Sequence, residues 1–294
     1  MPKYYNGTHY ILDEKNQCVI LKDEFQQQLL SNDKFKKFKK MGGSSIGNIL
    51  TPDRFNTEFK AFCHIARLAL PVLQKKYVNA GVILEPKIIE YLQSYYDRDP
   101  NNGGKIEHIE ASAVGYDYFA DIDIIGGVPD ALDKKRKRVY EIKTAQAKKY
   151  DEWKQEKNPA NSKGIPKSYK KQAQLYTSLL GYDEYAIVAC FLEEEDYVHP
   201  DKVDLSKRKI ECFLFKVKGK DELIAQIEDD KQKIIDFHQK YSLYKEKVSP
   251  KYDLINDIDQ VEYLRCKNEV ERKKLFNNWK SKGKIDDDID FASF

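Results

Sequence analysis

Three residues in the middle of the chain have the types and spacing to do chemistry: Asp130, Glu141 and Lys143. Glu141 and Lys143 sit in the apolar, strand-like run Val139-Tyr140-Glu141-Ile142-Lys143-Thr144. Side chains alternate faces along a strand, so Glu141 and Lys143 point one way and Ile142 the other. Asp130 ends Gly126-Gly127-Val128-Pro129-Asp130, at the end of the preceding strand and across a basic hairpin turn. Two carboxylates and one ammonium therefore converge at one edge of a sheet. That set suits metal-assisted phosphodiester hydrolysis. Mg²⁺, or Mn²⁺ in its place, takes oxygen ligands and keeps several waters, so Asp130, Glu141 and the substrate phosphate suffice, with the Ile142 carbonyl as a further ligand. The cation lowers the pKa of a coordinated water and offsets charge on the phosphate. Lys143 orients that water and stabilises the transition state. A lone D…ExK also arises in any lysine-rich hairpin with surface charges, so the surrounding elements decide.

Those elements read as follows. Residues 1–22 suggest a short hairpin or irregular arm, and residues 22–40 a basic helix ending in Lys34-Phe35-Lys36-Lys37-Phe38-Lys39-Lys40. Met41-Gly42-Gly43-Ser44-Ser45-Ile46 is a glycine turn opening a short helix with serine at its cap. Apolar residues at Phe55, Phe59, Phe62, Ala66 and Ala69 mark a helix over 54–76, interrupted at Pro71. A further helix is expected over 84–97. From 105 the pattern turns to strands: IEHIEASAV, YDYFADIDIIGGV and RVYEIKTA. A helix over 167–181 precedes two strands, EYAIVACFLE and RKIECFLFKVK, joined by an acidic turn. Long helices over 220–246 and 255–282 complete the chain. This order fits an α/β or α+β architecture, a mixed central β-sheet flanked by helices.

Four pieces, in order from 42 to 176, carry a family resemblance: Gly42-Gly43-Ser44-Ser45-Ile46, Gly81-Val82-Ile83-Leu84-Glu85-Pro86, Pro129-Asp130 with Glu141-Ile142-Lys143, and Gln172-Ala173-Gln174-Leu175-Tyr176. Together they resemble the YqaJ/lambda-exonuclease family of recombination nucleases, a branch of the PD-(D/E)xK, restriction-endonuclease-like fold. Ala131 departs from the glycine usual after the aspartate. The resemblance implies a Mg²⁺-dependent exonuclease that degrades one strand of linear duplex DNA from a 5′ end. Glu85 would face the metal site, and Gln172 and Tyr176, one turn apart on one helix face, would position Lys143 or touch DNA. Ser44 and Ser45 at a helix start could take a terminal 5′-phosphate, assisted by Lys37, Lys39 and Lys40. A ring-shaped trimer and a single-strand annealing partner are implied by kinship alone. Residues 182–294 match no motif.

Composition narrows the alternatives. Charged residues are 34% and the net charge is +3, so basic character is local: KKRKR at 134–138, and eight lysines against three acidic residues over 148–171. Five dispersed cysteines argue against disulfides and against a CxxC metal or iron–sulfur site. His9, His64, His108, His199 and His238 have no metal-ligand spacing, and no GxxxxGK[ST] motor motif occurs. Neither a membrane span nor a secretory signal is expected, which suits a cytoplasmic protein. The expected organisation is an arm and basic helix at 1–40, a nuclease core at 41–246 and a helical extension with an acidic tail at 247–294. The rival readings are a restriction-like endonuclease on the same fold and a catalytically silent DNA-binding module.

Overall fold

A computed structural model describes residues 3–31, 40–53, 55–98, 104–157, 164–241 and 247–294. In chain order the described elements are β1 (Tyr10–Asp13), β2 (Cys18–Leu21), α1 (Asp23–Ser31), β3 (Met41–Gly42), α2 (Gly47–Leu50), α3 (Glu58–Ile65), α4 (Lys75–Tyr96), β4 (Glu107–His108) and β5 (Ile125–Gly126). Then come β6 (Ala131–Asp133), β7 (Arg138–Gln146), α5 (Tyr150–Lys154), α6 (Lys167–Leu179), β8 (Glu184–Leu192), α7 (Glu194–Val198), β9 (Lys209–Lys216), α8 (Asp221–Tyr241), α9 (Ile258–Arg265) and α10 (Glu269–Ser281). They form two compact units, each built from separated segments: residues 1–75, 119–126 and 232–294 in one, 76–118 and 127–231 in the other.

The second unit holds a five-stranded mixed sheet in the order β4-β6-β7-β8-β9. Only the β7–β8 pair is parallel, with Glu141 opposite Ile187 and Lys143 opposite Ala189. Parallel neighbours need a crossover, and α6 supplies it. β8 is buried along almost its whole length, as its unbroken apolar run Tyr185–Leu192 dictates for a strand covered on both faces. On one face, Ala131, Tyr140, Ile142, Val188 and Cys190 pack with Ala80, Leu84, Ile88, Ile89 and Leu92 of α4. Burial of the last four contributes about 1.5–3 kcal/mol each. That outweighs the roughly 3 kcal/mol cost of a proline in a helix interior, which explains why α4 runs through Pro86.

In the first unit, β1 and β2 form the expected hairpin. α10 contributes Phe276 and Trp279 to a cluster with Ile285, Ile289 and Phe294. Arg272 is fully buried beneath the Tyr263 ring, 3.7 Å from its centroid, and donates to the Tyr4 carbonyl at 2.8 Å.

Several local expectations change. The helix expected over 54–76 is α3 alone: the Thr57 hydroxyl accepts from Lys60 N at 3.2 Å to start it, and left-handed Arg67 at φ 57° ends it. α4 starts well before 84, so Pro86 lies in its interior rather than in its first turn. The strands expected over 105–128 shrink to β4 and β5, because turns fill the interval. Tyr116 N donates to Ala111 O at 2.7 Å, and Gly115 and Tyr116 both adopt positive φ. The helix expected over 255–282 divides into α9 and α10 where Asn268 caps the second by accepting from Glu271 N at 3.0 Å. The acidic turn between β8 and β9 contains α7, begun by a reciprocal cap between Glu193 and Asp196. Of the basic helix over 22–40, α1 covers Asp23–Ser31, while residues 32–39, with Lys37 and Lys39, lie outside the described residues.

Candidate active site

Asp130 stands immediately before β6, not at the end of an earlier strand; the hairpin it opens is β6–β7 itself. β6 pairs with β7 only as far as Ala131 opposite Tyr140. Just beyond, the Asp130 carboxylate accepts from the Ile142 N–H at 2.7 Å, where a longer β6 would have supplied a carbonyl. The N–H and C=O of a strand residue leave from the same edge, so the Ile142 carbonyl faces the Asp130 side of β7.

Alternation along β7 holds as expected. Tyr140 and Ile142 join the α4 face, and Glu141 and Lys143 the other. Glu141 is fully buried. Its Oε2 receives Lys143 Nζ at 2.7 Å and its Oε1 receives Gln172 Nε2 from α6 at 3.1 Å. Lys143 Nζ is also 3.7 Å from Asp130 Oδ2 and 5.3 Å from the Tyr169 ring centroid. A cation at that distance from an aromatic face is held by the ring's negative face. Tyr169 precedes Gln172 by three residues on the same helix face, a spacing that could have flagged it. Tyr176 is fully buried on α6, as a core side chain.

Glu85 projects from α4 and pairs with His108 of β4, Oε1 to Nε2 at 2.9 Å. His108 has no counterpart in the sequence motifs, and nothing in its spacing signals a role.

Charge dominates this cluster. Burial, then Asp130, pushes the Glu141 carboxyl up to about 8, with Glu85 adding to the rise. Burial and Asp130 likewise push Glu85 up, against the opposing pull of His108 and Lys143. Burial alone would lower the Lys143 pKa, but Glu141 and Asp130 outweigh it and hold the ammonium protonated. Three carboxylates share one lysine, so the set carries excess negative charge and raises the proton affinity of its members.

A hard divalent cation would answer that excess. The groups that could hold one are all oxygen donors: Asp130, Glu141, the Ile142 carbonyl and Glu85. One or two carboxylates plus substrate phosphate and water meet the needs of Mg²⁺, so a complete protein cage is not required. Among the described residues no group of three or more His, Cys, Asp or Glu forms such a cage. The Lys143 ammonium instead bridges Glu141 and Asp130 as an internal counter-ion.

The residues expected to take a 5′-phosphate lie in the other unit. The Ser45 hydroxyl is engaged locally, donating to Gly42 O at 2.5 Å and accepting from Gly42 N at 3.2 Å. Lys40 Nζ donates to the Phe119 and Ala120 carbonyls at 3.0 and 3.1 Å. The lysine-rich stretch after β7 is partly neutralised: Lys149 pairs with Glu152, Lys170 with Glu156 and Lys171 with Asp230.

No family model matches the chain. It is 26% identical over 252 residues to uncharacterized protein MG373 of Mycoplasma genitalium, spanning 74% of this chain and 85% of that one. It is 25% identical over 225 residues to the MG373 homolog of Mycoplasma pneumoniae, spanning 63% and 77%. Among solved structures it is similar to LHK-Exo in complex with dAMP, at 18% identity and a TM-score of 0.45, covering 73% of this chain and 96% of that one. It is also similar to a phage-related exonuclease of Haemophilus somnus, at 16% identity and a TM-score of 0.46, covering 70% and 94%. A further structure of LHK-Exo, the alkaline exonuclease of Laribacter hongkongensis, gives 16% identity and a TM-score of 0.43, covering 73% and 96%. At such identities the likeness concerns the path of the chain alone.

Proposed function

We propose that the protein is a divalent-metal-dependent deoxyribonuclease that degrades linear duplex DNA from its ends, 5′ to 3′. The observation that carries this reading is the buried Glu141 carboxylate, joined by Lys143 to Asp130 on the unpaired side of β7. Asp130, Glu141 and the Ile142 carbonyl are the groups that would hold Mg²⁺, with Glu85 beside them. When bound, the cation would polarise the scissile phosphate and activate water for attack on phosphorus.

The chain's own residues do the rest. Gln172 fixes one oxygen of Glu141, leaving the carboxylate a single orientation. The Ile142 N–H fixes Asp130. Lys143, kept protonated by its neighbours, presents an ammonium that orients the attacking water and offsets negative charge growing on the phosphate oxygens. In this reading Tyr176 supports α6 from the core.

The test is digestion of linear and closed circular duplex DNA by wild type and Lys143→Ala, with Mg²⁺ and with EDTA. Loss of the linear substrate alone, dependent on Mg²⁺ and Lys143, is the expected result. Cleavage of the circle would establish an endonuclease instead. Binding without cleavage of either would leave a DNA-binding module.

A further inference from the structure

We propose that His108 is a positioning residue of this centre, fixing the Glu85 carboxylate so that one oxygen is held by the imidazole and the other is presented to the Asp130–Glu141 pair. The proposal rests on the metal-centre reading above and extends it to a residue outside every sequence motif.

β4 is only two residues long, yet it grips the site twice. Its backbone continues into Ile109, whose N–H donates to the Asp130 carbonyl at 3.0 Å, while His108 lies opposite Ala131. Its side chain at His108 meets Glu85 Oε1 at 2.9 Å. One short strand thus ties the peptide of one candidate ligand and the carboxylate of another.

Burial does not account for the second tie. The Glu85 and His108 side chains are 28% and 32% exposed, so water could satisfy both. A glutamate left to water samples many rotamers, whereas one pinned at Oε1 loses that freedom before a cation arrives. Partners that orient a metal-binding carboxylate typically change metal affinity by about 10–100-fold. A neutral imidazole with its proton on Nε2 suffices as donor to an ionised Glu85.

The experiment uses the full chain with His108→Ala, His108→Gln, Glu85→Gln and the double variant Glu85→Gln/His108→Ala. Mn²⁺ binding without DNA is measured by calorimetry, and the Mg²⁺ dependence of linear DNA digestion separately. His108→Ala should weaken Mn²⁺ binding and raise the Mg²⁺ concentration for half-maximal rate by about 10-fold, with a smaller loss at saturating metal. His108→Gln, whose amide places a donor near the Nε2 position, should recover most of that loss. The double variant should be no worse than Glu85→Gln, because the two residues act through one carboxylate. Wild-type metal response in His108→Ala, or losses that multiply in the double variant, would overturn the role of His108 while leaving the centre intact. Wild-type behaviour of Glu85→Gln would remove Glu85 from the centre and the proposal with it.

Discussion

Replacing Lys143 by methionine, of similar length but without charge, should separate metal binding from turnover in opposite directions. The wild-type ammonium lies 2.7 Å from Glu141 Oε2 and 3.7 Å from Asp130 Oδ2, and Glu141 is fully buried. Glu141 has its ordinary carboxyl pKa of 4.5 raised to about 8 in the folded protein. A carboxyl of this kind keeps a proton that the unfolded chain has released, so its contribution to stability is full below pH 4.5 and is lost as the pH rises to about 8. In Lys143→Met the charge that favoured ionisation is gone, and the loss continues above pH 8. Below pH 8 the metal-free variant should therefore trail wild type by a roughly constant amount, about 1 kcal/mol for a lost hydrogen bond. Above it the deficit should widen by about 1.4 kcal/mol for each further unit that Glu141 rises. A divalent cation replaces the missing positive charge. Mg²⁺ should thus stabilise the variant more than wild type, while DNA cleavage falls by about 100-fold or more, the loss typical of a missing transition-state donor. Urea unfolding from pH 6 to 9.5, with Mg²⁺ or EDTA, reads the first effect and digestion of linear DNA the second. Weaker Mg²⁺ stabilisation in Lys143→Met than in wild type would refute the counter-ion argument.

Gln172→Leu removes the donor to Glu141 Oε1 and should raise the Mg²⁺ requirement of DNA cleavage by about 10–100-fold, the equivalent of one hydrogen bond to a buried charge; an unchanged metal titration would contradict it. Gly81→Ala meets nothing within 4 Å in the interior of α4, so thermal unfolding should show a gain of about 0.5–1 kcal/mol with activity unchanged. Lys40→Ala frees the Phe119 and Ala120 carbonyls from their donor and should lower stability by about 1 kcal/mol on chemical unfolding. The same variant compared on 5′-phosphorylated and unphosphorylated DNA tests whether Lys40 also serves the DNA end.

Much of the centre was legible because it depends on rules that act over a few residues. Period-two alternation placed Glu141 and Lys143 on one face with Ile142 opposite, and EYAIVACFLE read as a strand, which is β8. The helical spacing of Gln172 and Tyr176 placed both on α6. What escaped depended on contacts between distant segments or on competition between turns and strands. YDYFADIDIIGGV alternates as a strand should, yet a bond from Tyr116 N to Ala111 O and positive φ at Gly115 and Tyr116 turn its start away from extension. Pro86 reads as a helix start, but packing of Leu84, Ile88, Ile89 and Leu92 carries α4 past it on both sides. His108 meets Glu85 across 23 residues, and no local pattern foretells that.

The unequal lengths of β6 and β7 have a consequence for how this chain tolerates change. β6 is three residues long and β7 nine, and the centre lies in the gap left where the shorter strand has not yet begun. Asp130 fills the first place in that gap by bonding to Ile142. The position of the centre is therefore fixed by where a strand starts, as well as by which side chains are present. An insertion or deletion of one residue in the turn at 134–137, between Asp133 and Arg138, could leave Asp130, Glu141 and Lys143 all in the gene. It would nevertheless slide β6 along its neighbour, turn the aspartate to the opposite face and close the opening with main chain. For this fold, the length of the hairpin turn is as much a part of the candidate centre as the residues that line it.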